Sequence, residues 1–152
     1  MIKVNVEIDN KSWIKKIRNP KKYFLKKIKK ISQKIHFLNK KNITFTILLT
    51  NSFNMKKLNK KFRKLNKSTD VLSFPTFESK NLKLINEKKI YIGDIAASYE
   101  IIYSRSKEKS FYQEFDKVWV HGLLHLIGYN HIKNKDYLKM KKIEEIIINS
   151  IG

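Results

Sequence analysis

Hydrophobic and polar residues alternate from Met1 to Ile8 and recur at helical spacing further along, so the chain reads as a mixture of strands and helices. Asn19-Pro20, a capping residue followed by proline at the first helical position, announces a helix with Phe24, Ile28, Ile31 and Ile35 as its inward stripe. Lys21, Lys22, Lys26, Lys27, Lys29 and Lys30 occupy its other faces. The β-branched and aromatic run Ile43–Leu49 predicts a strand in the sheet interior. After it, Asn51 or Ser52 can cap a helix whose apolar face is Met55, Leu58, Phe62 and Leu65. Val71–Phe74 predicts a strand that Pro75 confines to an edge or a strand end. Phe77–Lys89 reads as a polar hairpin loop, with residues 78–88 polar enough for a short disordered segment, and Ile90–Ile95 as another strand. Helices over Tyr99–Lys107 and Phe111–Ile127 follow. A last helix, capped by Asn134 and running through Ile148, turns Tyr137, Met140, Ile143 and Ile147 inward. The expected class is α+β: one domain, 1–152, with a small mixed four-stranded sheet packed with helices.

The chemistry is concentrated in the helix over Phe111–Ile127 and the residues just beyond it. His121, His125 and His131 are three of the chain's four histidines; His36 stands apart and is expected in the core or on the surface, not as a ligand. On a helix His121 and His125 are i and i+4, so both imidazoles leave one face a turn apart. Gly128 can end that helix in the left-handed conformation and swing the chain back to deliver His131. An i, i+4 histidine pair can arise by accident on a polar face. Here Val118, Trp119, Val120, Leu123, Leu124, Leu126 and Ile127 make the helix apolar nearly all round, and a buried imidazole without a partner costs free energy. A metal ion would be that partner. Three nitrogen ligands with an open fourth position make a zincin-like catalytic site, with zinc the preferred ion, although imidazole also suits nickel, copper and iron.

The spacing matches the metzincin zinc signature H-E-x-x-H-x-x-G-x-x-H except at its second position, where the protease's general base Glu is replaced by Gly122. The run His121 to His131 resembles instead the H-G-x-L-H-L-x-G-Y-D-H signature of the YbeY endoribonucleases, bacterial proteins that act on ribosomal RNA. Asn130 stands where that family usually has Asp. Leu58-Asn59-Lys60-Lys61-Phe62-Arg63 followed by Thr69-Asp70-Val71-Leu72-Ser73-Phe74-Pro75 resembles the family's second signature, Gly93-Asp94-Ile95 its G-D-I, and Met140 with Glu144 its M-x-x-x-E. The resemblance covers motifs from Leu58 to Glu144 and implies a catalytic or phosphate-binding role for Arg63. A guanidinium clamps a phosphoryl group through a planar fork where lysine offers a point charge. Asp94 has two readings, turn chemistry or a hydrogen-bond acceptor behind a metal ligand. Asn130 likewise either accepts a hydrogen bond near the metal or caps the turn from solvent.

Charge agrees with a polyanionic partner: 34 basic against 13 acidic residues give +21. Only Arg18, Arg63 and Arg105 are arginines, and the wealth of Lys, Asn and Ile also fits an AT-rich genome, which weakens composition as an argument for RNA. The chain has no cysteine, which excludes disulfides and thiolate sites, and no apolar run approaches the roughly 20 residues that span a bilayer. With no signal-peptide pattern at the start, a cytoplasmic protein is expected. The resemblance implies a zinc-dependent endoribonuclease of single-stranded RNA, active in 3′-end maturation of small-subunit (16S) ribosomal RNA and in ribosome quality control. Its partners would be ribosomal RNA precursor and ribosomal particles, with neither DNA nor membrane. Two alternatives are a metal-stabilised ribosome-assembly factor that binds RNA without cutting it, and a minimal metallopeptidase, against which Gly122 argues.

Overall fold

A computed structural model describes residues 1–77, 82–107 and 109–152. Its strands are β1 (Ile2–Ile8), β2 (Asn42–Thr50), β3 (Val71–Pro75) and β4 (Lys89–Ser98). Its helices are α1 (Ser12–Lys16), α2 (Pro20–Lys34), α3 (Ser52–Arg63), α4 (Tyr99–Arg105), α5 (Phe111–Ile127) and α6 (Asn134–Ile151). The sheet order is β1-β2-β4-β3, with β1–β2 and β2–β4 parallel and β3 antiparallel on the β4 edge. The α+β class with a mixed four-stranded sheet is therefore as the hydrophobic pattern predicts.

Strand alternation divides the protein into two unequal layers. Ile43, Phe45, Ile47 and Leu49 of β2 face a large core with Trp13, Phe24, Ile28, Ile31, Phe115, Trp119, Leu123 and Leu126. Leu48 faces the other way, onto a small cluster of Met55, Leu72 and Ala96 beneath α3. α3 reaches that cluster with little of its length: Phe62 and Leu65, expected inward, are 57% and 44% exposed. On α6, Met140 and Ile147 are buried as expected while Tyr137 is 45% exposed, and Lys133, not Asn134, occupies the cap position.

Buried polar bonds fix α5 against its neighbours. Asp116, 4% exposed, accepts from the Tyr23 hydroxyl at 2.7 Å and the Trp119 indole N–H at 2.9 Å, and pairs with Lys27. Burial and then the Asp116 carboxylate push the Tyr23 hydroxyl well above its ordinary pKa, so it stays a donor. Two of these three partners, Tyr23 and Lys27, come from α2, so the long-range bonds pin the two helices in one register. Of the polar stretch 78–88, residues 78–81 lie outside the described residues. Leu82 is buried, a short 3-10 turn spans Leu82–Leu84, and Lys41 donates to the carbonyls of Leu82 and Ile85, so this part of the loop packs back onto the end of the 3-10 turn before β2. Among the described residues no helix is long and apolar enough to cross a membrane.

Candidate metal centre

α5 begins and ends where the sequence places it, and its C-terminal end builds the site. Gly128 has φ 113°, its amide donates to the His125 carbonyl at 3.1 Å, and the Tyr129 amide donates to the Leu124 carbonyl at 3.0 Å. This pair of bonds is a Schellman turn, which satisfies two orphan carbonyls and reverses the chain. The reversal brings the Tyr129 carbonyl onto His125 Nδ1, at 3.1 Å. Asn130 Oδ1 accepts from the Ile132 amide at 3.3 Å, a local turn that carries His131 back over the helix.

His121, His125 and His131 come together, each offering a ligand atom within 4.8 Å of the others. The tautomers follow from the partners. His121 Nδ1 lies 3.2 Å from a Glu144 carboxylate oxygen and His125 Nδ1 lies against a carbonyl. Both partners can only accept when Glu144 is ionised, so both Nδ1 atoms carry the proton and both Nε2 atoms present a bare lone pair. Those Nε2 atoms face each other at 3.0 Å. Two lone pairs so placed repel unless a cation lies between them. Ligands about 2.0–2.1 Å from a tetrahedral ion stand about 3.3 Å apart, close to this separation. Burial, then the His121 and His131 imidazoles, push His125 from 6.5 down to about 4, against the pull of the Tyr129 carbonyl and Glu144. His125 is thereby held neutral at ordinary pH, the state in which an imidazole binds metal. By donor type, tautomer and spacing, these residues fit a single divalent ion.

Gly122, next to His121, faces the sheet. A Cβ there would lie 3.1 Å from Ile95 Cγ2, 3.1 Å from Ser73 Oγ and 3.3 Å from Val71 Cγ2. The Ser73 hydroxyl also donates to the Gly122 carbonyl at 3.2 Å. The close approach of α5 to β3 thus uses the absence of a side chain, and the carboxylate of a metalloprotease has no room at this position.

The remaining sequence-predicted residues fall into three groups. Arg63 is the last residue of α3, exposed and without an ion pair to any described residue. Its neighbour Phe62 packs edge-on against Phe74 of β3, centroids 5.2 Å apart, so the end of α3 is tied to the strand that carries Ser73. Asp94 accepts from the Tyr91 hydroxyl and is exposed, which makes it a sheet-surface residue and not a support for a metal ligand. His36 is exposed in a short 3-10 turn, away from the cluster of three. In the sequence Glu144 stands out only as part of a motif match, yet it is the carboxylate that orients His121. A signal for it existed: Glu144 is i+4 from Met140, on the inward side of α6, where an ionisable group needs a partner.

Comparison with known proteins adds a second line of information. Residues 7–152 match the family model described as Endoribonuclease YbeY. A Pelagibacter ubique protein named Endoribonuclease YbeY is 47% identical over 99% of this chain and 97% of its own length. One of the same name from Thermodesulfovibrio yellowstonii is 34% identical over 41% of each chain. The solution structure of a Thermotoga maritima protein superposes with a TM-score of 0.63 at 22% identity, covering 99% of this chain and 89% of that one, a likeness of fold alone.

Proposed function

The chain belongs to the YbeY endoribonuclease family, and from that premise we propose that it is a zinc-dependent endoribonuclease of single-stranded RNA, its ligands His121, His125 and His131. The observation that carries the metal part is the pair of bare Nε2 atoms 3.0 Å apart, each fixed in its tautomer from behind by Glu144 or the Tyr129 carbonyl. When bound, the ion would supply Lewis acidity toward a phosphoryl oxygen and toward the attacking water.

The chain's own residues supply the rest. Glu144 holds the His121 ring, and the Schellman turn holds the His125 ring, so neither imidazole spends reorganisation energy as charge develops. Arg63 is the proposed phosphoryl clamp. Its guanidinium, exposed and without an ion pair to any described residue, can make two parallel hydrogen bonds to equatorial oxygens, on which phosphodiester cleavage develops charge. β3 is an edge strand with no second strand paired to it among the described residues, and it packs beside α5, so it can line a groove for an extended strand of RNA. The net charge of +21 supports binding of a polyanion. Gly122 leaves the peptidase alternative without a base and without space for one.

The biological substrate we infer is ribosomal RNA precursor, in 3′-end maturation of 16S RNA and quality control of ribosomal particles in the cytoplasm. The test is metal analysis of the purified protein followed by incubation with 16S precursor and with a peptide panel, each with and without chelator. Stoichiometric zinc with chelator-sensitive cutting of RNA alone is expected. Metal-replete protein that binds the precursor and leaves it intact would establish the assembly-factor alternative instead.

A further inference from the structure

We propose that the hollow between α5 and α6 beside the histidines is a nucleobase subsite, taking one unpaired base of the RNA strand whose phosphate lies at the cluster. The proposal rests on the nuclease reading for the identity of that strand. The hollow measures about 400 Å³ and has His121 and His131 in its wall, so a group seated there is a direct neighbour of the metal centre. That volume lies in the usual range for small-ligand pockets, about 300–1,000 Å³.

The lining suits a flat, hydrogen-bonding ring. Met140 and Ile148 make it apolar, and Tyr137 contributes an aromatic ring to the same wall. That ring is 45% exposed although it stands on the helix stripe that buries Met140 and Ile147. Core packing accounts for Met140 and Ile147 and leaves Tyr137 unexplained; a stacking platform for a base accounts for it. Lys117 and Lys141 also line the hollow and give it the cations that the backbone phosphates flanking a seated base need.

Glu145 sets the orientation. A carboxylate repels phosphate and accepts hydrogen bonds from ring N–H and exocyclic amino groups, so the base and not its phosphate enters. Glu144 does not compete for this role, because its carboxylate is engaged by His121. Guanine presents adjacent N1–H and N2–H donors that match one carboxylate in a bidentate pair, which makes it the expected preference.

The test uses the full-length, zinc-loaded protein and reads binding alone. The Met140 methyl and Tyr137 ring signals are followed by NMR during titration with guanosine 5′-monophosphate and, separately, ribose 5-phosphate. Saturable shifts at both residues with the nucleotide, and none with the sugar phosphate, are expected. Tyr137→Ala should weaken nucleotide binding roughly 5-fold or more, with Tyr137→Phe close to wild type. Equal shifts with ribose 5-phosphate, no Met140 shift with the nucleotide, or wild-type affinity in Tyr137→Ala would each overturn the subsite. The two readings fail separately: a seated nucleotide without RNA cleavage leaves the pocket and removes the nuclease, and RNA cleavage without seating does the reverse.

Discussion

Gly122→Ala sets two known effects against each other, and the geometry decides the sign. In the interior of a helix alanine is favoured over glycine by about 0.8–1.0 kcal/mol. At this position the new Cβ meets Ile95 Cγ2 and Ser73 Oγ at 3.1 Å and Val71 Cγ2 at 3.3 Å, inside the roughly 3.5–4.0 Å of comfortable carbon contact. Ile95 and Val71 lie on neighbouring sheet strands, so relief requires β3 or α5 to move by a few tenths of an ångström. Such overpacking costs about 1–3 kcal/mol, and straining the Ser73 bond to the Gly122 carbonyl adds up to about 1 kcal/mol. The net expectation is destabilisation by about 1–2 kcal/mol, or about 2–8 °C in Tm for a chain of this size. Urea unfolding of the metal-free protein measures it without the stabilisation that a bound ion contributes. Gly122→Glu should cost several kcal/mol more and gain no peptidase activity, since its carboxylate would be buried without a partner. A Gly122→Ala protein more stable than wild type by the full propensity gain would refute the close approach of α5 to β3, and with it the steric case against a protease.

Replacing His121, His125 or His131 with Ala should each abolish stoichiometric metal and the stabilisation it brings, about 2.7 kcal/mol at a hundredfold excess over Kd, while His36→Ala leaves both intact; metal analysis and thermal melts read this. Glu144→Gln should weaken zinc roughly 10–100-fold in competition with a chelator, because the His121 ring loses its charged acceptor. In Arg63→Lys the charge is retained and the fork lost, so metal content should be normal and RNA cleavage lower by about tenfold or more; equal turnover would return Arg63 to an ordinary surface role. For metal-free protein, the folded-state pKa of His125, about 4, lies below the unfolded 6.5, so between those values the unfolded chain holds more protons. Stability should therefore be complete above about pH 6.5 and fall as the solution is acidified toward 4, and wild type should lose more than His125→Asn in urea titrations across that window.

Where local periodicity and a local stop signal coincide, the sequence was sufficient. α5 runs from Phe111 to Ile127 as its apolar pattern and Gly128 predict, and β2 differs from its expected span by one residue at each end. α1 escaped notice because five residues are too few to show a helical period, although Trp13 is fully buried and its indole N–H donates to the Thr50 carbonyl at 2.8 Å. The apolar face assigned to α3 was too long for a physical reason: α3 covers the thinly populated face of the sheet, where Met55 reaches the small cluster and Phe62 can only lean on Phe74 at the edge. The three histidines were legible because their spacing carries the geometry of one helix and one turn. Glu144 was not, because it reaches His121 from another helix, 23 residues further on.

Asn130 shows the limit from the opposite side. Its place beside the last histidine suggests an acceptor for a ligand imidazole or for water at the metal, which an aspartate would strengthen. In the structure the Nδ1 protons of His121 and His125 are already taken, by Glu144 and by the Tyr129 carbonyl, and Asn130 Oδ1 is exposed and accepts from the Ile132 amide. The oxygen shapes the turn that presents His131, and an aspartate carries an oxygen at the same place. Asn130→Asp should therefore keep the turn and change zinc affinity only through the added charge, by less than the tenfold that losing a direct hydrogen bond to a ligand would bring. Asn130→Ala, which removes the acceptor, should weaken zinc more than Asn130→Asp changes it, because His131 then pays the entropy of ordering its own loop. Chelator competition on the two variants separates the roles: a tenfold or larger tightening in Asn130→Asp would restore the direct bond, and equal affinity of Asn130→Ala and wild type would remove Asn130 from the site altogether.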